Sequence, residues 1–75
     1  HLREQALFEL DVLGDAPAAL RSMAQAWSYQ REPFDALLYL RAARVAGTPD
    51  AAAAARAWVA KTGLQDLRLA PELAR

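Results

Sequence analysis

An all-α fold of stacked antiparallel helix hairpins is what this sequence predicts, and three observations lead there. Of 75 residues, 19 are Ala and 12 are Leu, both strong helix formers, while Ile is absent and Val and Thr together number five. Gly and Pro recur at intervals that mark off four segments of helical length. The chain also matches itself, weakly, when shifted by 33 residues.

The first helix is expected over Leu2 to Leu13, where Leu2, Ala6, Leu10 and Leu13 recur near a period of 3.6 before Gly14. Asp15 is placed to cap the second helix, with Pro17 tolerated in its first turn because an N–H there has no intrahelical partner. That helix is expected to bury Leu20, Met23, Ala24 and Trp27 and to end before Pro33. A third begins around Pro33 to Asp35 and runs through Leu37, Leu38, Leu40, Ala43 and Val45 to Gly47. Thr48-Pro49-Asp50 then signals a fourth: a hydroxyl cap, Pro at the first helical position and a carboxylate in the first turn. It continues through five alanines to Lys61-Thr62, with Gly63 as its left-handed end. Ala70-Pro71-Glu72-Leu73 opens a short fifth helix or frays. Links of two to four residues force successive helices to lie antiparallel and touching, as a small bundle or as stacked hairpins.

The internal repeat favours hairpins. The 33-residue shift lays Leu7 on Leu40, Val12 on Val45 and Gly14 on Gly47, while the tryptophans, Trp27 and Trp58, align better at 31. The Gly pair weighs most, because both glycines stand at the turn inside a two-helix unit. In Gly14-Asp15-Ala16 followed by Ala19, Met23 and Ala26, the chain resembles the second helix of the tetratricopeptide repeat (TPR) family, and Pro33 stands about two residues past that family's terminal proline. The second unit keeps Gly47 and Ala52 but carries Ala36 and Leu40 where the family has a large aromatic and a small residue. The resemblance covers roughly residues 2–62 and implies a fragment of a right-handed superhelix. One domain is expected over 1–75, with hairpin 1 at about 2–31, hairpin 2 at about 34–62 and a C-terminal segment at 63–75. Opening on His1 rather than Met, it reads as a piece of a longer protein. Much Ala and Arg with one Lys and no Asn points to a GC-rich bacterial gene.

Composition bounds the chemistry. Without Cys there is neither a disulfide framework nor a thiolate metal site. The one His lies at the chain's first position, and Ser22 and Ser28 sit inside a helix, so no nucleophile–base pair assembles. Glu4, Glu9 and Asp11 read as a solvated helix face. No enzymatic role, cofactor or metal is expected. Nine basic residues balance nine acidic ones, which argues against a nucleic-acid partner even though Arg21, Arg31, Arg41 and Arg44 could form a stripe. No apolar run approaches the ~20 residues of a membrane span.

The remaining expectation is an interaction module. The TPR resemblance implies that the first helix of each hairpin lines a ligand-facing groove. By position that groove presents Glu4, Gln5, Phe8 and Asp11 from the first unit, and Phe34, Leu37, Leu38, Arg41 and Arg44 from the second. Arg41 and Arg44, three apart, share a face and suit a carboxylate-bearing peptide, or else pair with acids of their own chain. Gln5, Phe8, Asp11, Phe34, Leu38, Arg41 and Arg44 are therefore the candidate contacts for a protein or peptide partner. The alternative is a segment that caps or oligomerises a longer helical-repeat array.

Overall fold

The structure, a computed structural model, describes residues 1–62. Every regular element among them is helical: α1 (Leu2–Asp11), α2 (Ala16–Trp27), α3 (Pro33–Val45), a 3₁₀ turn (Pro49–Ala52) and α4 (Ala53–Thr62). The fifth helix and the Gly63 terminus fall outside the described residues.

Local chemistry sets the boundaries. The Asp15 carboxylate accepts the Ala18 N–H at 3.1 Å, the expected cap of α2. α3 ends in a Schellman turn: Thr48 N–H donates to the Ala43 carbonyl at 2.9 Å and Gly47 N–H to that of Arg44 at 3.0 Å. Gly47 sits at φ +78°, where a Cβ is strained whatever the surrounding space. α1 stops two residues earlier than expected, because Leu13 N–H reaches back to the Phe8 carbonyl and Asp15 N–H to that of Glu9. The Thr48 cap is corrected. Its hydroxyl caps nothing; its carbonyl accepts the Ala51 N–H at 2.9 Å, and the chain enters α4 through a 3₁₀ turn.

Three antiparallel contacts build the core: α1 along α2, α2 along α3, and α3 along α4 with its leading turn. Alanines (Ala6, Ala19, Ala36, Ala42, Ala43, Ala52 and Ala55) are wholly buried where helices meet, and small side chains let axes approach closely. Met23, Leu38, Leu40, Trp27 and Tyr39 fill the remaining space, with the Trp27 and Tyr39 rings edge to face at 5.7 Å. Ala24, expected to be buried, faces solvent instead, as do Leu13 and Val45 of the apolar rhythm. Leu13 lies past the end of α1, Val45 closes α3 beside its turn, and Ala24 stands on the outer side of α2, where Ser22 is buried in its stead. Ser22 is tolerated inside because its hydroxyl donates to Glu9 Oε1 at 2.8 Å.

α1 and α3 also lie side by side and run the same way. Arg3 at the start of α1 meets Asp35 at the start of α3, 32 residues on, and Asp11 at the end of α1 meets Arg41, 30 residues on. Trp27 of α2 likewise meets Trp58 of α4 with ring centroids 5.6 Å apart. Residues 30 to 32 apart in the sequence are thus neighbours in space, close to the 33-residue shift, as stacking of hairpins requires.

Candidate functional site

The paired helices α1 and α3 carry the expected contact residues. Along α1, Phe8 and Asp11 are three apart and so share a stripe. Phe8 is 52% exposed. Gln5, one turn back, is exposed and donates through Nε2 to Glu9 Oε2 at 3.2 Å. Along α3, Phe34 and Arg41 are seven apart, two turns of the same stripe, and Phe34 keeps 37% of its surface. Leu37 is half-buried and Glu4 exposed.

Arg41 is not an open cation. Its Nη2 donates to Asp11 Oδ1 at 2.8 Å, with both side chains more than two-fifths exposed, so the pair bridges α1 and α3 at the surface. Arg44 is exposed one turn further on and has an interaction of its own. Leu38 is corrected: at 2% exposure it cannot touch a partner. α3 is wedged between α2 and α4, so its buried arc is wide, and Leu38 falls between Asp35 and Ala42, both buried on that arc.

A second charged group at the start of these helices has no counterpart in the sequence reading. Arg3 grips Asp35 with two bonds, Nε to Oδ1 at 2.7 Å and Nη2 to Oδ2 at 3.1 Å, and lies 3.4 Å from Glu32. Its guanidinium carbon is 5.4 Å from the centre of the Phe34 ring. Asp35, 1% exposed, also accepts the Glu32 N–H at 3.1 Å and so caps the helix it belongs to. The hydrogen bond to Asp35 is the main reason that the Arg3 guanidinium is raised above its ordinary pKa. The only local signal was the spacing of Glu32 and Asp35 around Pro33, a capping pattern with Glu in the cap position where Ser, Thr, Asp or Asn is usual.

Two clefts flank this framework. A cleft of about 400 Å³ opens where α1 begins and α2 ends, with Arg3, Glu4, Tyr29 and Gln30 on its walls and Asp35 also lining it. A smaller one, about 270 Å³, lies between the end of α2 and α4. Among the described residues no three His, Cys, Asp or Glu side chains cluster to hold a metal ion, and no helix is long and apolar enough to cross a membrane. No family model, curated protein or solved structure matches this chain.

Proposed function

We propose that the chain is a non-catalytic interaction module of the TPR type, which holds a protein or peptide segment across α1 and α3. The observation that carries this reading is the exposure of two phenylalanines, Phe8 and Phe34, on adjacent parallel helices whose same stripes bear the Asp11–Arg41 pair. Exposed aromatic rings beside Arg are the residue types that dominate binding energy in protein interfaces. A ligand carboxylate docking there competes with Asp11 for the Arg41 guanidinium, because Arg takes carboxylates in a planar fork.

That competition makes the reading testable by calorimetric titration with an acidic, Leu-containing peptide. Arg41→Ala weakens binding, on the order of tenfold, whereas Asp11→Asn tightens it by releasing the guanidinium. Equal affinity of wild type and both variants overturns the proposal. A capping or oligomerising role is the second reading, favoured by Val12, Leu13 and Val45, which are more than half exposed beside the two hairpin turns. Sedimentation separates the two: self-association with rising concentration supports the second, and a persistent monomer the first.

A further inference from the structure

α4 is apolar on two sides. Ala55 and Val59, with Ala52 just ahead of the helix, are buried against α3. Ala54, Ala57 and Trp58 form a second stripe at helical spacing, which continues into Lys61. This second stripe walls the smaller cleft, and Trp27 at the end of α2 and Arg31 in the link to α3 form its other side. On this second side Ala54 and Ala57 are exposed and Trp58 is half-buried, so the stripe is open to a partner.

Among the described residues the rim charge has one sign. Arg31 is held in place by its Nε–H bond to the Trp27 carbonyl at 3.0 Å and by its guanidinium lying 5.8 Å from the centre of the Trp27 ring. Lys61 is exposed, one turn beyond Ala57 on the same face. No acidic side chain among the described residues lines the cleft. Glu32, the acid next to Arg31 in sequence, turns the other way, to Arg3 and to the Gln30 amide. Trp58 stands perpendicular to Trp27 and is only half-buried, so its ring gives the cleft an aromatic wall.

The geometry points to this cleft as a second docking site, for an acidic amphipathic helix of a protein partner. Leu side chains of such a helix would lie on Trp58. Its backbone would approach over Ala54 and Ala57, where no bulky side chain holds it off, and its carboxylates would meet Arg31 and Lys61. The site lies on α2 and α4 and stands independently of the α1/α3 reading.

Both tryptophans of the chain line this cleft, so intrinsic fluorescence reports on it directly. The probe is an acetylated helical peptide with Leu on one face and Glu on the other, and its Lys-for-Glu counterpart is the control. We expect the acidic peptide to change the tryptophan emission of the full chain saturably and the basic one to leave it unchanged. Lys61→Glu should weaken that response by about tenfold, and Ala57→Glu, at an exposed helical position, should abolish it with the helical circular dichroism retained. Phe8→Ala, on the other face, should leave the tryptophan response unaltered. The proposal is overturned by an absent response, by equal affinity for the two peptides, by indifference to Lys61→Glu, or by loss on Phe8→Ala. Tryptophan shifts with phosphatidylserine vesicles but not with the peptide would overturn it too, because the partner would then be an anionic surface.

Discussion

Asp35 is the one buried carboxylate among the described residues. A carboxylate that is almost fully buried is costly unless its charge is compensated, and here three N–H donors from Arg3 and Glu32 converge on it. The two partners are not equivalent. The Arg3 side chain keeps 27% of its surface and can turn to water if Asp35 is removed, whereas Asp35 cannot. Arg3→Ala should therefore cost more than Asp35→Asn: about 2–4 kcal/mol against about 1–2 kcal/mol, both below a fully enclosed pair because Arg3 is partly solvated. Urea denaturation of the two variants and the double variant measures the order and the coupling. The reverse order would mean that the carboxylate's capping of α3, and not its ion pair, dominates. The pair itself was out of reach of the sequence, since nothing local to Arg3 or Asp35 names a partner 32 residues away.

At the scale of elements, helix ends were legible wherever the chemistry is contained in a few consecutive residues. Asp15 followed by Pro17, and Gly47 after a run of helix formers, say where α2 starts and α3 stops because their bonds close within one turn. Thr48-Pro49-Asp50 carries an equally good start signal, yet the 3₁₀ turn satisfies the same donors through backbone carbonyls and leaves the hydroxyl unused. The two sites therefore separate a signal from its use. Asp15→Ala should lower stability by about 1 kcal/mol, while Thr48→Ala should stay within about 0.5 kcal/mol of wild type. Thermal melts of both decide it, and a Thr48→Ala loss as large as that of Asp15→Ala would restore the hydroxyl cap. Periodicity was less reliable near helix ends. Leu13 and Val45 fit the apolar rhythm, but the chain turns away at those points and leaves them in water.

For the molecule as a whole, the offset of 30 to 32 residues between interacting partners lies close to the sequence repeat, which was readable because Gly14 and Gly47 stand 33 apart and the tryptophans 31. The width of the α3 arc was not, since it depends on helices packing from two sides, and this removed Leu38 from the candidate surface. A chain this short has a thin margin of stability, so a single titrating group shows in its global unfolding. Tyr39 is that group. It joins the helices, with its ring on Trp27 of α2 and its hydroxyl donating to the Ala51 carbonyl at 3.2 Å, and burial pushes its phenol above the ordinary pKa of 10.0. Above that ordinary value the unfolded chain releases the Tyr39 proton while the folded chain keeps it. The unfolded state then binds fewer protons, and stability must fall as pH rises. The contribution is fully present below the unfolded pKa and is lost as pH climbs through the raised folded one, at up to about 1.4 kcal/mol per pH unit in that window. Arg3, also raised, adds a loss of the same sign only at still higher pH. Tyr39→Phe should cost about 1 kcal/mol near pH 7 through the lost hydrogen bond and should flatten the alkaline fall. Denaturation curves of both proteins between about pH 8 and about pH 11 test this, and a variant that falls as steeply as wild type would mean that the loss comes from another group.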